Sequence, residues 1–241
     1  LKLIGASNHP ILRFCAHLCS FGAVLMLLFT LLLRLRREQK IAHMGRNRRR
    51  QPDETALMEA RLLRMALISM FVVFFGYRLV GQLYQRMWLL AILIGINGIM
   101  LYLPPYLPGA NKGAVSLSAL DGMLIGLSAG AGIVPGISTM GWSISTAKLR
   151  GTDKRYATEV ALMLTLGSLP AWMLIDVIEA FGAASFSGPI FLYGVTVAAA
   201  SFLSGYLSIK FMRFLAVKAG YSGFAYYCWG TALFALILYL I

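Results

Sequence analysis

The stretch from Leu117 to Lys148 reads LSALDGMLIGLSAGAGIVPGISTMGWSISTAK. It is apolar enough to enter a membrane, but it is broken at Val134-Pro135-Gly136. Six glycines (Gly122, Gly126, Gly130, Gly132, Gly136 and Gly141) crowd its centre. A spanning helix needs roughly 20 consecutive apolar residues, and a proline inside a helix removes a backbone hydrogen bond and clashes with the preceding turn. The pattern therefore predicts two short helices joined by a turn. Whether they cross the membrane or return to the side they came from decides the topology.

Charge arithmetic answers that question. The chain has 22 Lys and Arg. Ten lie between Arg34 and Arg64, including the run Arg46, Arg48, Arg49, Arg50, and four more (Lys148, Arg150, Lys154, Arg155) follow the broken segment. Positive residues flanking membrane segments are retained on the cytoplasmic side. If the segment returns, these groups share one side with Lys112, Lys210, Arg213 and Lys218. Eighteen of the 22 are then cytoplasmic, leaving Lys2, Arg13, Arg78 and Arg86 outside. If the segment crosses, the second cluster falls on the wrong side. A re-entrant hairpin over 117–148 is predicted.

The rest of the 241 residues fits a membrane chain. Hydrophobic residues make up 59% and charged residues 13%, whereas soluble domains run nearer a quarter charged. Apolar spans are expected at about Pro10–Leu33, Met65–Tyr84, Met87–Leu103, Tyr156–Phe181, Pro189–Phe214 and Tyr221–Ile241. The fold class is thus an all-α polytopic helix bundle, with about six crossings plus the hairpin. The net charge of +13 reflects topology and attraction to lipid headgroups, not nucleic-acid binding. Pro52-Asp53-Glu54 reads as a helix start. The chain opens at Leu1 without an initiator Met or signal-peptide pattern, so the natural N-terminus is expected upstream.

Chemistry is expected at the break. Irregular backbone at membrane depth is tolerated only where protein or a water-filled cavity satisfies it, and broken helices mark binding sites. A helix starting near Ser138 presents free amides and the positive end of its dipole, an arrangement that binds phosphate. The expected phosphate contacts are Gly136, Ile137, Ser138, Met140, Gly141, Ser143 and Thr146. Gly122, Gly126 and Gly130 recur every four residues, as in close helix packing, which would support the loop.

At these residues the chain resembles a family. Leu124-Ile125-Gly126-Leu127, then Ile133-Val134-Pro135-Gly136-Ile137-Ser138 and Gly141 look like the second signature of bacterial undecaprenyl-diphosphate phosphatases, Pro-Gly-x-Ser-Arg-Ser-Gly. His17-Leu18 with Ala23-Val24-Leu25, Arg155-Tyr156-Ala157-Thr158-Glu159 and Phe224-Ala225-Tyr226-Tyr227 extend the likeness along nearly the whole chain. Thr139 stands where the signature has arginine, and Met140 where it has its second serine. The family's first signature, with paired glutamates, is expected before Leu1, so the metal-binding carboxylates have no assignment in this sequence.

The resemblance implies two inverted repeats in a single transmembrane domain over 1–241. Residues 10–103 would be the remainder of an incomplete first repeat, with its basic cytoplasmic loop at 34–64. Residues 117–241 would be the second repeat, with the hairpin at 117–148. It implies an enzyme of the bacterial cell membrane that hydrolyses undecaprenyl diphosphate to the monophosphate, with a divalent cation, Mg²⁺ or Ca²⁺. Such an enzyme recycles the lipid carrier for peptidoglycan synthesis, and so for cell-wall biogenesis and cell shape, and confers bacitracin resistance. Ser138 would be the nucleophile or main phosphate contact, with Thr139 beside it. The alternative is a non-catalytic polyprenyl-phosphate transporter of the same fold. Expected partners are the polyprenyl diphosphate and membrane lipids, with homodimerisation open.

The remaining polar residues have structural readings. Asp121 is expected to cap or sit at the interface, Thr152-Asp153 to cap the next helix, Glu159 to pair with Arg155 at i,i+4, and Asp176 and Glu179 to lie at the outer interface. His17 is read as a hydrogen-bonded packing residue. Cys15, His17 and Cys19 do not share a helix face and make a poor metal site.

Overall fold

The computed structural model describes residues 9–43, 53–75, 87–107, 112–182, 188–217 and 221–240. Its main helices are α1 (Pro10–His43), α2 (Glu54–Phe74), α3 (Met87–Tyr102), α4 (Ala119–Gly130), α5 (Thr139–Leu149), α6 (Lys154–Gly182), α7 (Gly188–Val217) and α8 (Ser222–Leu240). Among the described residues the one β feature is an isolated parallel bridge between Lys112 and Thr152.

Five of these helices are long and apolar enough to cross a membrane: Pro10–Ala42, Met87–Tyr106, Lys154–Phe181, Tyr193–Leu215 and Ser222–Leu240. The chain is an all-α polytopic membrane protein. At 1.5 Å per residue the 34-residue α1 is about 51 Å long. It overshoots the roughly 30 Å hydrocarbon core, so its Arg34–Lys40 end emerges. Only 6% of the apolar stretch of α7 and 11% of that of α8 is buried by protein, which leaves Phe202, Leu207, Phe234 and Ile237 exposed. Apolar surface that extensive is tolerated against lipid, not water. The sixth expected span, from Met65 to Tyr84, begins within α2, and its second half lies outside the described residues. α2 starts where Pro52-Asp53-Glu54 predicts, with Asp53 Oδ1 accepting from the Thr55 amide at 3.0 Å.

The broken segment folds as two helices of 12 and 11 residues, each roughly 16–18 Å long and too short to cross. They pack against one another, and their outer ends are tied together. Lys112 donates its amide to Gly151 O at 3.1 Å and accepts the Asp153 amide at 3.2 Å, while Arg150 pairs with Asp121. The segment therefore leaves from the end at which it came in, as the charge distribution predicts.

The chain divides into two compact units. Leu1–Thr30 with Leu166–Phe211 form one, and Leu31–Thr165 with Met212–Ile241 the other, which contains the whole hairpin. In the first, α1 and α7 approach through small residues, with Gly205 near Ala23 and Ser20. In the second, α2 lies along α4 and α3 along α8. The predicted glycine stripe serves the α2–α4 contact: Gly122 faces the Leu62 carbonyl, and Gly126 faces Ala66 and Ser69.

Candidate functional site

The site is assembled at the hairpin tip. α4 tightens into a 3-10 turn at Ala131–Ile133. Val134 donates back to Ala131 O at 2.9 Å, and Ile137 to Val134 O at 3.1 Å. Pro135 and Gly136 occupy the middle of that second turn, with Gly136 at φ 84°. This is the type II pattern, in which proline presets the first central residue and glycine takes the positive φ. Ser138 then caps α5, its Oγ accepting the Gly141 amide at 3.1 Å.

The tip rests on one face of α3. Gly136 lies against Leu90 and Ile94, Ser138 against Asn97, and Gly141 against Leu101. Positions 90, 94, 97 and 101 follow helical spacing along a single stripe. Within that apolar stripe Asn97 is the polar member. It is buried, its Oδ1 accepts the Ser138 amide at 2.9 Å, and its Nδ2 donates to Cys228 Sγ at 3.3 Å.

The expected site residues are thus accounted for individually. Gly136 to Gly141 form one continuous turn and helix start at the tip. Ser138 keeps a hydroxyl proton to donate, because the cap uses only a lone pair of the oxygen. The Thr139 and Met140 amides are the open donors of the first turn, since Asn97 takes the Ser138 amide and the cap takes that of Gly141. The Met140 side chain turns away to pack against Ile144, Ala161 and Tyr221, so Met140 offers its backbone alone. Ser143 is fully buried, and its hydroxyl donates to Thr139 O at 2.8 Å. Thr146 stands about 10 Å along the helix beyond Thr139, away from the tip. Among the described residues the buried Trp142 indole nitrogen has no hydrogen-bond partner, and helical side chains lean toward the N-terminus.

The tip is neutral. Its positive potential comes from the start of α5, and Lys148 lies in the last turn of that helix. Among the described residues no three His, Cys, Asp or Glu side chains cluster as a metal would require. These residues do not fit the divalent cation that the resemblance implies.

The charged groups lie elsewhere. At the hairpin base Asp121 completes a capping box with Ser118 and pairs with Arg150, and Asp153 caps α6 through the Arg155 amide at 2.9 Å. Glu159 pairs with Arg213 on α7 at 3.0 Å, not with Arg155, because Arg155 points outward while Glu159 faces the neighbouring helix. In the other unit Asp176 is buried (2% exposed), bound by His17 Nδ1 at 2.6 Å and by Arg13, which also holds Glu179. His17 is the hydrogen-bonded packing residue expected, stacked on Trp172. Asp176 is enclosed by these partners.

Sequence reasoning missed Asn97. Its signal was a single amide in the otherwise apolar MWLLAILIGINGIMLY of α3, since intramembrane polar side chains earn their place by bonding across helices.

Residues 2–234 match the family model for the bacitracin resistance protein BacA. Among curated proteins, the undecaprenyl-diphosphatase of Halothermothrix orenii is 27% identical over 160 residues, covering 66% of this chain and 61% of that protein. Its counterpart in Methanobrevibacter smithii is 27% identical over 139 residues, 58% and 49% respectively. That of Treponema denticola is 30% identical over 117 residues, 48% and 43%. The match covers 43–61% of the length of these three relatives.

Proposed function

The chain belongs to the bacitracin resistance protein BacA family, and from that premise we propose that it hydrolyses undecaprenyl diphosphate in the cell membrane. Water attacks the terminal phosphorus and the anhydride bond breaks, giving undecaprenyl phosphate and inorganic phosphate. The single observation that carries the reading is the tip. A half-buried turn on the apolar face of α3 aims the Ser138 hydroxyl and the Thr139 and Met140 amides from a helix start. Those donors suit an anionic headgroup whose prenyl tail lies in lipid.

In this reading Ser138 donates to a phosphate oxygen while it caps α5. Among the described residues its hydroxyl is bonded to the Gly141 amide and to no base, which favours phosphate contact over nucleophilic attack. Thr139 adds a short hydroxyl where the resemblance would place a guanidinium. Thr139 and the neutral tip are also what a carrier that binds polyprenyl phosphate without cleaving it would show.

Phosphate release from undecaprenyl diphosphate by the full-length protein in detergent, with Mg²⁺ and with chelator, separates the two. Metal-dependent release that falls at least tenfold in Ser138→Ala supports the hydrolase. Folded protein that binds the lipid and releases nothing sinks the hydrolase in favour of the carrier.

A further inference from the structure

We infer that Asn97 is the positioning residue of the site: it fixes the hairpin tip from α3 so that the Thr139 and Met140 amides and the Ser138 hydroxyl converge on one phosphate. The inference rests on the phosphate-binding reading of the tip.

The geometry is two-ended. The Ser138 amide can only donate, so the atom facing it is the Asn97 carbonyl oxygen, and the Asn97 NH₂ must then face the Cys228 sulfur. The distances are 2.9 and 3.3 Å, and Asn97 is 5% exposed. Neither end can rotate without burying an unpaired polar group. The platform beneath is also tied, because Trp229 on α8 donates to Gly95 O on α3 at 3.2 Å. α8 thereby reaches the tip through Cys228 and Asn97.

The consequence is a selection among donors. Four amides, those of Ser138 to Gly141, open the helix. Asn97 takes the first and the Ser138 hydroxyl takes the last, so the middle two and the hydroxyl proton remain for a ligand. Without Asn97 the Ser138 amide is released, and the capping residue can swing. A displacement of about 1 Å at a reacting centre can cost a hundredfold in rate. A purely structural asparagine would produce a different result: general destabilisation, with any surviving folded protein fully active.

The test uses the full-length protein in nanodiscs. Asn97→Ala, Cys228→Ala and Cys228→Ser are compared by hydrogen–deuterium exchange and by steady-state phosphate release. In Asn97→Ala, exchange at 138–141 should rise roughly tenfold, as loss of one hydrogen bond allows, while α4 and α6 keep wild-type protection. The kcat should fall about ten- to a hundredfold, with KM changed less than the kcat. Cys228→Ala should shift both readouts the same way but less, and Cys228→Ser, which keeps an acceptor, should retain more activity than Cys228→Ala. Unchanged tip exchange overturns the inference, as does faster tip exchange with wild-type kcat. If the wild type releases no phosphate, the hydrolase reading fails by itself. The inference then stands or falls on whether inorganic pyrophosphate protects 138–141 in the wild type and protects it less in Asn97→Ala.

Discussion

At Gly136 the backbone takes φ 84°, and a Cβ there would lie 2.9 Å from Ile94 Cγ1. Both facts act in the same direction: the positive φ strains any L side chain, and the added carbon pushes the tip off α3. Gly136→Ala should therefore destabilise the protein by about 1–3 kcal/mol and lower phosphate release, read as a drop in Tm and in kcat. A wild-type Tm would mean that the tip sits away from Ile94. Thr139 invites the opposite experiment. A guanidinium can clamp a phosphoryl group bidentately, which a threonine hydroxyl cannot, and one such stabiliser is worth roughly 10²–10³ in rate. Thr139→Arg should raise kcat at least tenfold, and an unchanged or lower rate would show that this tip has no room or no use for the arginine. The turn was legible in Pro135-Gly136, and the cap in Ser138, because each is a local rule about φ or a free amide. Asn97 was not, since its bond to Ser138 joins positions 41 apart, and no helical period encodes which apolar stripe will face the hairpin.

Among the elements, α2 depends on charge at its start. Asp53 caps its first turn through the Thr55 amide and accepts from Arg34 at 2.7 Å. The hydrogen bond from Arg34 is the main reason that the Asp53 carboxyl titrates below its ordinary value. A carboxyl with a depressed folded value contributes stability above its unfolded value, and that stability is lost as pH falls through the folded one. The cap should thus hold above about pH 4, the ordinary aspartate range, and fray on further acidification. Amide exchange at 54–58 should accelerate there, and Asp53→Ala, which removes the accepting oxygen, should show fast exchange at every pH. A wild type that stays flat down to pH 2 would exclude the cap. The same segment shows why local pairing rules succeed at helix starts and fail along helix flanks. The Asp53, Asp121 and Asp153 carboxylates each lie within three residues of the amides they accept from, those of Thr55, Ser118 and Arg155. Glu159 had an i,i+4 partner in Arg155 but took Arg213 from another helix, a choice made by packing.

For the molecule as a whole, the decisive feature is a hairpin that returns to its own side of the membrane. The sequence argued this from where its positive charges fall, and the structure argues it from length and closure: two helices of 12 and 11 residues whose bases meet at Lys112 and Gly151. Insertion and hydrogen bonding are independent of each other, and both bring the chain flanking the hairpin to one face; the positive charges make it the face that holds the end of α1. Single cysteines test this directly in a background with Cys15, Cys19 and Cys228 replaced by serine. Arg37, Val115 and Arg155 are exposed, the first at the emerging end of α1 and the others flanking the hairpin. A membrane-impermeant maleimide should label Arg37→Cys, Val115→Cys and Arg155→Cys from one side only, the cytoplasmic side, and so only after the membrane is opened or inverted. Labelling of Val115→Cys and Arg155→Cys from opposite sides would mean that the segment crosses. The Ser138 tip would then be a kink in a spanning helix pair, its amides no longer at the end of a closed hairpin. The phosphate site would lose the backbone argument on which it stands.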